Sequence, residues 1–144
     1  SGVEIGKAEV IEHGEDLTIV AAGFSTVQSI RAVKLLRKFK INIDLVDLKT
    51  LKPLDTNTIF SSVRKTGKLL VVDSGSEISS FASEIVSLVC RNNFHNLKRS
   101  PEIITAPDIP EPTSYGVTDK FKFNSKDIAI KALEMLGKEI NNFD

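Results

Sequence analysis

The sequence predicts an α/β protein in which a parallel sheet lies between helices on both of its faces. Short apolar segments alternate along the chain with segments of helical period, and this alternation is typical of parallel strands joined by right-handed crossovers. Several of the apolar segments are nearly continuous, as expected of strands that are covered on both faces. A length of 144 residues fits one domain with one core.

Five segments have the composition of strands. Residues 7–12 alternate partly between apolar and polar side chains, which predicts a short edge strand with one face in solvent. Residues 17–22, 43–48 and 68–72 are almost entirely apolar and are predicted to be buried. Residues 102–105 are the last short strand.

Four helices are predicted between and after these strands. The first covers residues 25–40, the second begins at an N-cap, Asp55, and ends at Gly67, and the fourth begins near Ser125. The apolar positions expected to face the sheet are Ala32, Leu35, Leu36 and Phe39 in the first helix, Ile59, Phe60 and Val63 in the second, Phe81, Ala82, Ile85, Leu88 and Val89 in the third, and Ile128, Ala129, Ala132, Leu133, Leu136 and Ile140 in the fourth.

Ligands of such sheets usually bind beyond the carboxyl ends of the strands, so the loops there are the candidate sites. Gly23 allows the backbone to turn after the first buried strand, and Ser25 or Thr26 could cap the following helix and hold an anion. Ser74, Gly75 and Ser76 follow another buried strand, and their backbone amides could surround a phosphate or carboxylate. Simple capping and ordinary loop chemistry remain the alternatives for both loops.

Two more specific sites are not supported by the residues. A dinucleotide fingerprint requires further glycines where Phe24 and Val27 stand. Asp44, Asp47 and Asp73 could suggest a magnesium site of the receiver type, with Asp47 and Asp73 at strand ends. That architecture also requires acidic residues after the first parallel strand and a lysine after the last, and neither is present.

The segment from Pro107 to Tyr115 contains three prolines and is predicted to be a stiff, extended loop. A stiff loop loses little entropy on docking, which makes it a candidate partner contact; the alternative is that it only carries the chain to the last helix. The candidate contact residues are Pro107, Asp108, Pro110, Pro112 and Tyr115.

The remaining reactive side chains do not form an evident catalytic arrangement. His13 and His95 lie in polar segments with no neighbouring triad partners, and we expect both to be solvated. Cys90 is expected to pack as a small hydrophobic residue. A single cysteine excludes an internal disulfide and favours a reducing compartment, which we expect to be the cytoplasm, or the mitochondrial matrix if the source is eukaryotic.

Charge and hydropathy argue against two classes of partner. The chain has 19 basic and 19 acidic residues, so it lacks the basic excess that nucleic acid or an anionic membrane would require. No apolar stretch approaches the length of a membrane span. Ser1 and Gly2 are expected to be a cloning remnant, and the chain to be part of a longer protein.

One segment of the sequence is more specific than the strand, helix and loop patterns above. Residues 47–55, Asp-Leu-Lys-Thr-Leu-Lys-Pro-Leu-Asp, resemble the D-L-R-T-L-x-P-L-D segment in the carboxy-terminal domain of the beta subunits of thiamine-diphosphate-dependent 2-oxo-acid dehydrogenases. The resemblance extends over residues 5–8, 17–23, 67–75 and 107–112. Lys49 stands where the family commonly has Arg, which weakens two-pronged hydrogen bonding to a carboxylate there.

The resemblance implies an α/β/α sandwich with a mixed five-stranded sheet whose first strand is antiparallel to the others. It also implies that thiamine diphosphate and Mg²⁺ bind elsewhere in the parent enzyme, and that this domain has no catalytic, cofactor or metal residues. Its implied role is assembly with other alpha and beta subunits, as a homodimer or hetero-oligomer, and with the lipoyl acyltransferase core. Two alternatives stay open: a domain of a transketolase-like transferase, and a regulatory domain that senses a small anion.

Overall fold

The structure, a computed structural model, describes residues 6–50, 53–73, 79–105 and 124–139, without the side chains of residues 79 and 80. Within these ranges it contains five strands and four α-helices, which alternate along the chain from the second strand onward. No helix among them is long and apolar enough to cross a bilayer. The elements are β1 (Glu9–Glu12), β2 (Leu17–Ala22), α1 (Phe24–Arg37), β3 (Ile43–Leu48), α2 (Thr56–Thr66), β4 (Leu69–Asp73), α3 (Ser79–Asn92), a short 3-10 helix (Phe94–Asn96), β5 (Glu102–Thr105) and α4 (Ser125–Met135).

All five strands form one sheet in the order β1-β3-β2-β4-β5. Strands β3, β2, β4 and β5 are parallel, while β1 pairs antiparallel with β3, with Glu9 opposite Asp47. The antiparallel first strand that the family resemblance implies is therefore confirmed. The chain passes from β2 to β3 on one side of β2 and then crosses to β4 on the other side of β2. The direction of winding therefore reverses between β2 and β4.

The pleat of the central strands divides their side chains between two cores. Leu17, Ile19 and Ala21 of β2 face a core formed with α1 and α4, whereas Val20 faces a core formed with α2 and α3. Helices therefore cover both faces, and this double coverage explains the mostly apolar composition of β2, β3 and β4. The predicted three-layer α/β/α arrangement is confirmed.

The helix ends follow local capping chemistry. The carboxylate of Asp55 accepts a hydrogen bond from the backbone N–H of Thr58, so the predicted N-cap of α2 is confirmed. Gly67 ends α2 with φ of 75°, a left-handed conformation that glycine adopts at low cost. At α4, Asn124 and Asp127 form a reciprocal capping box, which places the helix start at the predicted position.

The prediction for the end of α1 is wrong in one respect. The helix was expected to continue to residue 40 with Phe39 facing the sheet, but it ends at Arg37 and Phe39 is 42% exposed. Lys40 adopts a left-handed conformation with φ of 61°, which reverses the chain. As a result Ile41, which is 3% exposed, takes the core position expected for Phe39.

Candidate functional site

The carboxyl ends of β2 and β4 lie side by side, so the two loops predicted to form an anion site begin at neighbouring points of the sheet. Ser25 connects these two strands directly: its hydroxyl lies 2.7 Å from the carbonyl oxygen of Ala22 and 3.0 Å from that of Val72. The first turn of α1 is thereby fixed against the end of β4. Ser74, Gly75 and Ser76 lie outside the described residues.

The expectation that Ser25 or Thr26 caps α1 is wrong. Gly23 is the N-cap residue, and neither hydroxyl makes a capping hydrogen bond, because both side chains are buried and used for tertiary contacts. Besides its contacts to carbonyl groups, Ser25 accepts a hydrogen bond from the backbone N–H of Ala22. Thr26 donates to a carboxylate oxygen of Asp47 at 2.7 Å. An anion bound at this helix start would therefore face the negative charge of Asp47, and anion binding here stays a prediction.

Asp47 is the centre of a polar cluster at this edge of the sheet. Its second carboxylate oxygen lies 2.6 Å from Nζ of Lys49, which also lies 3.4 Å from a carboxylate oxygen of Glu9 on β1. The hydrogen bond to Asp47 raises the pKa of Lys49 above its ordinary value, and Glu9 contributes in the same direction. Lys49 thus joins two antiparallel strands through its single ammonium group, where an arginine could make a two-pronged contact.

Asp55 has a second role besides capping α2. One of its carboxylate oxygens accepts hydrogen bonds from the backbone N–H of Ala8 at 2.8 Å and from the hydroxyl of Thr58 at 2.6 Å. Burial disfavours the charged carboxylate, but the hydrogen bonds from Thr58 and Ala8 outweigh burial and lower the pKa of Asp55 below its ordinary value. Asp55 therefore holds the segment preceding β1 against the start of α2.

A third buried carboxylate, Asp44, lies near the opposite, amino-terminal edge of the sheet. One of its oxygens accepts hydrogen bonds from Nζ of Lys65 at 2.7 Å and from the backbone N–H of Gly14 at 3.0 Å. The other oxygen accepts from the hydroxyl of Ser62 at 2.5 Å. Since Ser62 donates its only hydroxyl proton to Asp44, the hydroxyl of Thr18, 2.7 Å away, must donate to Ser62.

Sequence reasoning missed this network, although it had noted Asp44. Asp44 and Lys65 are 21 residues apart, and only the crossover through α2 brings them together. The glycine at position 14 was one signal in the sequence. The backbone there passes so close to Asn42 that a Cβ atom on residue 14 would lie 2.3 Å from the carbonyl carbon of Asn42. An open cleft of about 460 Å³ adjoins the network and is lined by Val10, His13, Asp44, Asn57, Thr58, Ser61, Ser62 and Lys65.

The other singled-out residues do not come together. Asp47 and Asp73 lie at strand ends as predicted, but Asp44 is at the opposite end of β3, and the described residues contain no group of three His, Cys, Asp or Glu side chains suited to a metal ion. His13 and His95 are exposed, and Cys90 is half-buried. The candidate partner loop, Pro107 to Tyr115, lies outside the described residues.

The topology and edge chemistry define a doubly wound α/β domain with an antiparallel edge strand. The family described as "Transketolase, C-terminal domain" matches residues 6–128, and the chain belongs to this family.

Individual relatives show a more specific similarity, to beta subunits of dehydrogenases. The chain is 37% identical over 114 residues to the "Pyruvate dehydrogenase E1 component subunit beta" of Acholeplasma laidlawii, covering 79% of this chain and 35% of that protein. It is 34% identical over 130 residues to the "Acetoin:2,6-dichlorophenolindophenol oxidoreductase subunit beta" of Cupriavidus necator, covering 90% of this chain and 38% of that protein. The chain thus spans about a third of the length of these curated relatives, and the resemblance to dehydrogenase beta subunits is confirmed.

A solved structure supports the same fold. A chain described as "Split gene transketolase, inactive beta4 tetramer" superposes with a TM-score of 0.78 at 25% identity, covering 96% of this chain and 45% of that chain.

Proposed function

We propose that this chain is the carboxy-terminal assembly domain of a beta subunit of a thiamine-diphosphate-dependent 2-oxo-acid dehydrogenase. In this proposal the parent enzyme oxidatively decarboxylates pyruvate or a branched-chain 2-oxo acid, with the reacting groups supplied by other domains. The domain contributes contacts to neighbouring alpha and beta subunits and to the lipoyl acyltransferase core. The similarity to beta subunits of pyruvate dehydrogenase supports this proposal.

One structural observation supports a non-catalytic role for three buried acids of the domain. Both oxygens of Asp44, of Asp47 and of Asp55 are already hydrogen-bonded by groups of the same domain. Carboxylates with both oxygens engaged in this way hold elements together and are less available to accept a proton from a substrate or to ligate an ion. These three buried acids therefore serve the architecture of the domain.

The same observation bears on the cofactor. Thiamine diphosphate is bound through its diphosphate and an accompanying Mg²⁺, which prefers carboxylate, carbonyl and water oxygens. Asp44, Asp47 and Asp55 already have both oxygens hydrogen-bonded within the domain, and Thr26 at the start of α1 donates to Asp47. These three carboxylates therefore fit a Mg²⁺ ion poorly, which supports the proposal that thiamine diphosphate and Mg²⁺ bind in the rest of the parent enzyme.

A turnover assay tests the proposal. The 144-residue chain is incubated with thiamine diphosphate, Mg²⁺ and either pyruvate or a branched-chain 2-oxo acid, with 2,6-dichlorophenolindophenol as the electron acceptor. We expect no dye reduction above the protein-free rate. A complete dehydrogenase of the same family, assayed in parallel, is the positive control. Dye reduction by this chain alone would contradict the proposal.

The superposition on a split-gene transketolase supports a second candidate, a transketolase-like parent. The two parents differ in chemistry, because a transketolase transfers a two-carbon unit between sugar phosphates whereas a dehydrogenase passes electrons to an acceptor. The natural coding sequence upstream of Ser1 distinguishes them once the complete parent protein is expressed and assayed with both substrate classes.

A further inference from the structure

The corner where α2, α3 and the short 3-10 helix meet combines an exposed aromatic ring with several cations. Phe94, the first residue of the 3-10 helix, is 69% exposed and contacts the ring of His95 edge to face at 5.5 Å. An aromatic side chain left in water at this level forgoes most of the stabilisation that its burial would provide. We name the set Phe94, His95, Arg64, Arg91 and Lys98 the Phe94 corner.

The backbone beneath Phe94 is firmly held. The side chain of Asn93 is fully buried and donates to the carbonyl oxygen of Phe60 on α2 at 3.2 Å, while the carbonyl oxygen of Asn93 accepts from the N–H groups of Asn96 and Leu97. Lys98 N–H then donates to the carbonyl oxygen of Gly67 at 2.8 Å. Phe94 is therefore carried by an ordered turn, so the turn loses little further conformational entropy when a partner binds.

Three exposed cations lie on or beside the elements that meet at this corner. Arg91 is on the last turn of α3, and Arg64 is on α2, one helical turn after Phe60, whose carbonyl oxygen accepts the hydrogen bond from Asn93. The stem of Lys98 lies over Gly67, where a Cβ atom would be 2.9 Å from its Cγ. None of the three forms an ion pair with an acidic side chain of the described residues.

We propose that the Phe94 corner is a docking site for an acidic polypeptide segment that places an apolar side chain against Phe94. Charge complementarity selects the occupant: cations that form no ion pair within the described residues attract a carboxylate-rich segment, and aromatic residues, phenylalanine among them, are enriched at protein interfaces. The chain as a whole carries equal numbers of basic and acidic residues, which favours an acidic protein segment over a nucleic acid. This site goes beyond the assembly role proposed above.

Fluorescence anisotropy with a defined probe tests this site on the 144-residue chain. The probe is a short fluorescein-labelled peptide in which glutamate pairs flank a central Leu-Phe pair. We expect saturable binding that weakens as salt is added, because the contacts are between exposed charges. Replacing the peptide's glutamates by lysines, or its Leu-Phe pair by serines, should abolish binding.

Variants locate the binding on the protein. Phe94→Ser should weaken binding about tenfold or more through loss of the aromatic anchor, and Arg91→Glu combined with Lys98→Glu should weaken it about fivefold or more. The matched control is Arg31→Glu combined with Lys34→Glu, which reverses two exposed charges on α1, on the other face of the sheet, and should leave binding unchanged. Thermal unfolding of each variant verifies that it is folded.

Three results would overturn the proposal. The first is the absence of saturable binding of the acidic probe, and the second is binding that the control pair weakens as much as the Phe94-corner variants do. The third is tighter binding of a labelled single-stranded oligonucleotide than of the acidic peptide, which would identify the corner as a phosphate-binding surface.

Discussion

At the residue scale, the stability of this domain depends on buried carboxylates that are matched by donors from distant parts of the chain. Asp44 is more buried than Asp47 and Asp55, at 1% exposure, and receives hydrogen bonds from Gly14, Ser62 and Lys65. A buried charge is tolerated only when such partners are present. Removing the carboxylate leaves its donors without an acceptor, whereas removing Lys65 leaves Asp44 with two of its three donors.

This difference predicts an unequal cost for the two partners of one ion pair. We expect Asp44→Ala to lower the free energy of unfolding by about 2 to 4 kcal/mol, because the buried N–H of Gly14 and the hydroxyl of Ser62 lose their acceptor. Lys65→Met should cost about 1 kcal/mol or less, because 38% of the Lys65 side chain is exposed and water can replace its ammonium group. Urea denaturation at neutral pH, followed by circular dichroism, measures both values. Equal costs for the two substitutions would contradict this description of the site.

If Asp44→Ala does not fold, Ser62→Ala provides the same test in a milder form. The loss of one hydrogen bond to a charged group predicts a cost of about 1.5 to 3 kcal/mol. The matched control is Ser61→Ala, since Ser61 is the exposed neighbour in the same helix and should change stability little.

At the element scale, the ends of the helices determine which side chains reach the core. The end of α1 has two large apolar residues close together, of which Ile41 is buried and Phe39 is 42% exposed. The left-handed conformation of Lys40 between them produces this arrangement. Periodicity alone favoured Phe39, because extending the helical pattern by one turn assumes that the helix continues.

The arrangement at this helix end predicts opposite outcomes for two truncations. Ile41→Ala removes a side chain that packs in the core with Leu36 and Ile43, and should cost about 2 to 4 kcal/mol. Phe39→Ala should cost less than about 1 kcal/mol, as expected of a substitution at an exposed position. Chemical denaturation of the two variants under identical conditions gives the comparison. A larger cost for Phe39→Ala than for Ile41→Ala would show that the helix continues as the periodicity indicated.

The start of α2 has a stability that depends on pH. The pKa of Asp55 is lowered in the folded state, so the ionised cap contributes its full stability above the ordinary aspartate pKa of about 3.9 and loses it as the pH falls through the folded value. Asp55→Ala should cost about 1 to 2 kcal/mol at neutral pH. The difference from the wild type should shrink as the pH falls below about 4.

Urea denaturation at a series of pH values measures this difference. Asn57→Ala, at an exposed position of the same first turn, is the control and should change stability little at any pH. A cost of Asp55→Ala that stays constant into the acid range would indicate that the cap does not act through its charge.

At the scale of the whole molecule, the fold was largely predictable and the polar clusters were not. Five strands and four helices follow from apolar runs, helical period and caps such as Asp55 and Gly67, because these signals are local. The antiparallel direction of β1 was implied by family resemblance, since four residues of partial alternation do not determine strand direction.

The candidate site was likewise predictable in the position of its residues but not in their contacts. The sequence placed Gly23, Ser25 and Thr26 correctly at the carboxyl edge of the sheet, but the role of Thr26 depends on Asp47, 21 residues away. Likewise, the contact of Lys49 with Glu9 depends on the register of β1 against β3. Such pairs form only when the sheet assembles, so no local sequence pattern predicts them.

The central claim about the molecule is that the domain supplies architecture and that the cofactor is bound elsewhere in the parent enzyme. Calorimetric titration of the 144-residue chain with thiamine diphosphate in the presence of Mg²⁺ tests this claim most directly. The claim predicts no saturable heat beyond dilution, while a complete family dehydrogenase titrated in parallel gives a binding isotherm. Saturable binding with a stoichiometry near one cofactor per chain would contradict it.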